Sequence, residues 1–215
     1  MTPNPHAIAA ESFVIIRQSL AERGYDFAPP LDAVIERIIH TTADFEFADV
    51  VQTSPGAVES GVRALQAGCA VITDVQMVRV GIGAHRLGAL GGSLHCFIGD
   101  ETVKAQATAQ GITRGAQSMR LAAERGLLDG GIVAIGNAPT ALEEIIRLVA
   151  AGARPALVVG VPVGFVGAAE SKAALAQVSA VPWLVTVGRK GGSTIAVAAI
   201  NAMLRLAVGA GNDEL

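Results

Sequence analysis

Apolar positions along the chain repeat with two different periods, and the change from one to the other marks out the expected elements. Between residues 6 and 23, Ile8, Phe13, Ile16 and Leu20 alternate with charged residues, which predicts a helix ending at Gly24. After Pro29 and Pro30 a second helix is expected, in which Leu31, Val34, Ile35, Ile38 and Ile39 fall at i, i+3, i+4, i+7 and i+8 and form one apolar stripe. Ser54-Pro55-Gly56 opens a further helix that stops near Gly68, and Ala70 to Thr73 reads as a strand. Gly81 to Gly99 is punctuated by glycine and has no readable period. Lys104 to Glu124 is helical in pattern, with a break at Gly111. The runs 132–135, 156–159 and 183–187 are short and wholly apolar or nearly so, as buried strands are, and each is followed by a glycine-containing turn and a helix.

This alternation predicts an α/β fold, a mostly parallel β-sheet with helices on both faces, Rossmann-like, in a single domain over residues 1–215. Ligands in that class sit beyond the carboxyl ends of the strands. The turns to inspect are therefore Gly136 to Pro139, Gly160 to Phe165 and Gly188 to Thr194.

Composition narrows the function. With 51% hydrophobic residues and a net charge of −3, the chain has enough apolar material for a core but no basic surface for general nucleic-acid binding. No apolar run approaches the ~20 residues of a spanning helix, and the N-terminus has no targeting pattern, so a cytoplasmic protein is expected. Cys69 and Cys96 are expected to be buried, reduced thiols, no spacing suggests a metal site, and the acidic tail at Asp213 and Glu214 is expected to be solvated.

Two glycine motifs invite nucleotide readings. In V-R-V-G-I-G-A-H-R-L-G from Val78, the third glycine of a dinucleotide fingerprint would fall on Arg86, and no room remains for its helix. In G-R-K-G-G-S-T from Gly188, Lys190 precedes the glycine pair, which is not the order of a phosphate loop. That turn can still offer backbone N–H groups and a cap hydroxyl at a helix start, beside Arg189 and Lys190, as a carboxylate or phosphate seat. An ordinary capped helix with two solvated cations accounts for it equally well. His6, His85 and His95 have no spacing that suggests a ligand set and read as structural.

His40 differs from them. At ~100° per residue it falls about 180° from Leu31, opposite the apolar stripe, and in the last turn, where the helix dipole is expected to raise its pKa. Thr41, Thr42 and Asp44 could orient it. On these grounds alone it is either a proton donor and acceptor or a solvent-exposed histidine at a helix end.

The run H-T-T-A-D-F-E-F-A-D from His40 to Asp49 resembles the signature of the precorrin-8X methylmutases of corrin biosynthesis. The blocks Glu11 to Arg17, Asp74 to Val78, Gly136 to Leu142, Pro162 to Lys172 and Gly188 to Ser193 agree in order, so the resemblance spans nearly the whole chain. It implies a cofactor-free isomerase that moves a methyl group from C-11 to C-12 of a corrinoid ring, converting precorrin-8X to hydrogenobyrinate. It also implies His40 as the acid that protonates the ring-C nitrogen, Ser12 in the substrate site, and a homodimer with sites near the subunit boundary. The chemistry of a macrocycle bearing many carboxylates adds Arg17, Thr41, Arg114, Arg189, Lys190 and Ser193 as candidate binding residues. A non-catalytic corrinoid carrier and a nucleotide-dependent enzyme on a Rossmann-like sheet are the competing expectations.

Overall fold

The computed structural model describes residues 5–209, so the acidic tail at Asp213 and Glu214 lies outside the described residues, as does the side chain of His6. In chain order the helices are α1 (Pro5–Glu22), α2 (Leu31–Thr42), α3 (Phe47–Val50), α4 (Ala57–Gln66), α5 (Gln76–Gly81), α6 (Ala84–Ala89), α7 (Glu101–Gln110), α8 (Arg114–Glu124), α9 (Pro139–Ala150), α10 (Ala168–Leu175) and α11 (Ser193–Ala207). The strands are β1 (Val51–Thr53), β2 (Ala70–Thr73), β3 (Ser93–His95), β4 (Ile132–Ile135), β5 (Leu157–Gly160) and β6 (Trp183–Thr186).

The six strands form one sheet in the order β1-β6-β5-β4-β2-β3, parallel throughout except for β1, which runs antiparallel to β6. Strand period 2 sends alternate side chains into two separate cores. Ile132, Ala134, Leu157, Val159 and Leu184 pack with α2, α4 and α11, while Val133, Ile135, Val158 and Val185 pack with α8 and α9. The expected parallel sheet covered on both faces is thus what the chain forms.

The path through the sheet reverses once. From β2 the chain crosses through α5 and α6 on the α11 face, with Val78, Ile82 and Leu87 buried there, to reach β3 at the edge. From β3 it returns past β2 to β4 through α7 and α8 on the opposite face, and α9 follows β4 on that same face. Adjacent strands β2 and β4 therefore lead into helices on opposite sides, which makes their carboxyl ends the switch point at which open sheets of this class bind ligands.

Several elements depart from the sequence pattern for identifiable reasons. β1 and β3 were not expected, because three-residue edge strands containing Gln52 or Ser93 and His95 present no alternation to read. α5 and α6 have six residues each, under two turns, too few for a 3.6 period to show. The break at Gly111 is a left-handed C-cap with φ 65°, which separates α7 from α8. Ile8 is half exposed rather than inward: α1 buries Ala9, Phe13, Ile16 and Leu20 instead, a face narrower than the sequence suggested. Cys69 and Cys96 are free, as expected, but half-buried rather than buried. No helix among the described residues is long and apolar enough to cross a membrane.

Candidate active site

α2 ends because Ala43 adopts the left-handed conformation, with φ 54°, and its N–H closes on the Ile39 carbonyl at 2.7 Å. A non-glycine residue held there costs about 1 kcal/mol or more, and among the described residues no other non-glycine residue has positive φ. The turn leaves His40 exposed in the last helical turn while Val34, Ile35, Ile38 and Ile39 are buried on the opposite side. The apolar stripe and the position of His40 away from it are as the spacing predicts.

What positions His40 is not what the sequence suggested. Thr41 and Thr42 donate to the carbonyls of Arg37 and Ile38, at 2.8 and 2.9 Å, along their own helix. Asp44 accepts from the Glu46 N–H and from Lys190. The imidazole instead stacks on Phe13 of α1, with ring centroids 4.7 Å apart and planes 10° from parallel. Phe13 is fully buried, so the platform is rigid. The Arg37 guanidinium lies 4.6 Å from the centroid of the same ring. This changes the electrostatics: burial against neighbouring groups, and secondarily the Arg37 charge, lower the His40 pKa below its ordinary value. The dipole argument predicted a rise. Burial first, and then the Arg37 charge one helical turn earlier, act in the opposite direction.

The remaining candidates divide by what already engages them. Lys190 Nζ makes ion pairs with Asp44 at 2.6 Å and Glu46 at 2.7 Å, tying the turn after β6 to the segment that follows His40. Arg17 Nε donates to both carboxylate oxygens of Glu36, at 3.0 and 3.1 Å, and so links α1 to α2. Ser12 donates to the Ile8 carbonyl within α1, one residue from Phe13. Arg189 is exposed with its guanidinium 5.4 Å from the Phe165 ring centroid. Arg114 is exposed at the start of α8, whose Gly115 packs against the turn that follows β4. Ser193 begins α11 half-buried, but the N-cap is Gly192 and no side-chain hydroxyl caps the helix, contrary to expectation.

The turns at the carboxyl edge are pinned by groups that sequence reasoning passed over. Asp74, wholly buried at the end of β2, accepts from the N–H groups of Gly136 at 3.0 Å, Asn137 at 2.8 Å and Ala138 at 2.7 Å. Burial pushes its carboxyl pKa up against the three donors, which favour the anion. An acid placed directly after the buried run A-V-I-T was the available signal. Above β5 and β6, the Gly164 N–H donates to the Arg189 carbonyl, the Gly192 N–H donates to Val161, and Lys172 and Thr186 both donate to the Lys190 carbonyl. Lys172 shares a helix face with Ala168, Ser171 and Leu175, all buried, so its inward direction was legible from that spacing. Around this edge Val163, Phe165, Val166 and Val187 leave apolar surface in solvent. The arrangement can therefore offer one exposed histidine with a lowered pKa, with exposed apolar side chains and the exposed cations Arg114 and Arg189 on other turns.

Comparison with known proteins identifies the family. A sequence model of the precorrin-8X methylmutase family (CbiC) matches residues 7–206. A cobalt-precorrin-8 methylmutase of Leptospira interrogans is 44% identical over 205 residues, covering 93% of this chain and 92% of its own. One of Priestia megaterium is also 44% identical, covering 96% of this chain and 90% of its own. The crystal structure of precorrin-8x methyl mutase from Thermus thermophilus superposes with a TM-score of 0.87 at 46% identity, covering 94% of this chain and 96% of that one. With the match running through both cores and the whole carboxyl edge, the chain belongs to the precorrin-8X methylmutase family.

Proposed function

We propose that this chain, an isomerase of cobalamin biosynthesis by its family, moves the methyl group of precorrin-8X from C-11 to C-12 with His40 as the general acid. The observation that carries the reading is His40 itself, exposed at the end of α2 on a buried aromatic platform. The C-11 to methyl bond breaks as the C-12 to methyl bond forms, so no group leaves the ring. Protonating the ring-C nitrogen withdraws electron density from C-12 and eases the migration, and the same proton returns to His40 afterwards. A lowered pKa makes the imidazolium a stronger acid but leaves fewer molecules carrying the proton near neutral pH.

A bound substrate alters that balance, because its carboxylates favour the imidazolium and raise the His40 pKa. As pH rises, kcat/KM, which reports the free protein, should therefore fall through a pKa below about 6.5, while kcat, which reports the complex, should fall at higher pH. The assay follows the visible spectrum with precorrin-8X and with cobalt-precorrin-8 in parallel. No conversion of either macrocycle would remove the activity, and coincident limbs would remove the coupling between substrate charge and His40.

Arg114, Arg189, Ser12 and Ser193 complete the proposed site as partners for the peripheral carboxylates, with Thr41 beside the acid. Arg17 and Lys190 shape it from behind, since both are already paired within the protein. Arg189→Met should weaken binding of hydrogenobyrinate several-fold in low salt and much less near 1 M salt, where screening acts within ~3 Å. Affinity that is unchanged, or lost equally at both salts, would take Arg189 off the rim.

The reading includes a homodimer, supported by the exposed Val163, Phe165 and Val166, and a cytoplasmic location in which the two free thiols stay reduced. Nothing in the site favours a non-catalytic carrier, which would have no use for an acid on a rigid platform.

A further inference from the structure

Lys172 is 1% exposed, and its ammonium donates to Thr186 Oγ1 at 3.2 Å and to the Lys190 carbonyl at 2.6 Å. Thr186 Oγ1 donates to that same carbonyl at 2.7 Å. Among the described residues no carboxylate pairs with Lys172, and burial alone lowers its pKa to about 8. An unpaired buried ammonium is costly, and a methionine would fill the space at less cost to folding. Such departures from the stability optimum are expected where function requires them.

The carbonyl that Lys172 holds belongs to the residue whose side chain reaches outward to Asp44 and Glu46. Four residues before Asp44 stands His40. A continuous chain of contacts thus runs from the buried ammonium, through the Lys190 peptide and its side chain, to the segment that follows α2.

We propose that Lys172 is a positioning residue for the methyl shift: with Thr186 it fixes the Lys190 peptide, so that Lys190 holds the segment after His40 in register with the carboxyl edge of β5 and β6. The inference rests on His40 being the acid. Lys172 lies beneath the turn and acts through the Lys190 peptide that it holds. Its effect is on where the proton donor sits, and a displacement on the order of 1 Å at a reacting group can cost about 10²-fold in rate.

The test compares the full-length wild type with K172M, T186V, K190M, the double variant K172M/K190M, and H40A. Each is assayed for kcat, KM and thermal melting with whichever of precorrin-8X and cobalt-precorrin-8 the wild type converts. K172M should lower kcat about 10- to 100-fold with little change in KM, while its melting temperature holds or rises. T186V, which keeps the ammonium and removes one donor, should lower kcat by a smaller factor. K172M/K190M should be about as slow as the slower single variant, because both act through one turn.

Wild-type kcat in K172M, or a double variant slowed by the product of the two single effects, would overturn the proposal. If K172M does not fold, wild-type kcat in T186V overturns it instead. Wild-type kcat in H40A beside a slow K172M would identify the failure as that of the acid assignment, and this proposal falls with it.

Discussion

His40→Ala should bind hydrogenobyrinate with an affinity near that of the wild type and turn precorrin-8X over about 10²- to 10⁴-fold more slowly, a loss of roughly 3 to 5 kcal/mol in transition-state stabilisation. The split between binding and rate follows from the structure. Removing the imidazole takes away the proton donor but leaves Phe13 buried and the rim cations in place, and ground-state contacts to a large macrocycle are spread over many groups. The chemistry also predicts a difference between substrates. Protonation at nitrogen requires a free lone pair, whereas in cobalt-precorrin-8 the metal already holds it and itself withdraws electron density. The penalty for losing His40 should therefore be smaller with the cobalt form. Single-turnover spectra with both macrocycles decide the matter, and kcat near wild type with precorrin-8X would end the assignment.

Gly191→Ala should destabilise the fold by about 2 to 4 kcal/mol and slow turnover as well. Gly191 has φ 154°, a conformation L side chains rarely adopt, and a Cβ there would fall on the Val161 carbonyl oxygen and within 3.0 Å of the Pro162 oxygen. Both obstacles are backbone at the end of β5, so no side-chain rotation relieves them. The turn must lift, and lifting it breaks the 2.8 Å bond from the Gly192 N–H to Val161. Lys190 would move with it, away from Asp44 and Glu46. Denaturant unfolding measures the first effect and kcat per folded molecule the second. Stability within 0.5 kcal/mol of wild type, on the order of an ordinary surface substitution, would show that the turn is not held as tightly as its contacts imply.

The sequence showed the fold class because the central strands are buried on both faces. Runs such as Ile132 to Ile135 are continuous apolar blocks, and the helices between them carry clear 3.6 periods. The edges were not legible: β1 and β3 are too short to alternate, and α5 and α6 too short to turn twice. At the site, the angle of His40 on α2 was readable because it depends only on helix geometry. Its platform was not, because Phe13 belongs to α1 and meets His40 only where the two helices pack. Arg37, three residues earlier on α2, was a local signal that sequence reasoning passed over, but the burial that chiefly lowers the His40 pKa arises from that same packing. Lys190 and Arg17 looked like free cations for the same reason: Asp44 lies 146 residues from Lys190, and Glu36 19 residues from Arg17. Family resemblance supplied the reaction, which neither periodicity nor spacing could.

The Asp74 clamp bears on which ligands this architecture can accept at all. A parallel sheet that reverses its winding leaves a gap rimmed by backbone N–H groups, and in nucleotide-binding relatives of the architecture a phosphate occupies that gap. Here the three N–H groups of Gly136, Asn137 and Ala138 are already saturated by a carboxylate from the neighbouring strand. The molecule places its own carboxyl group at that point. Those three donors are therefore not open to a phosphate, and Arg114 and Arg189, exposed on other turns, can differ without disturbing the clamp.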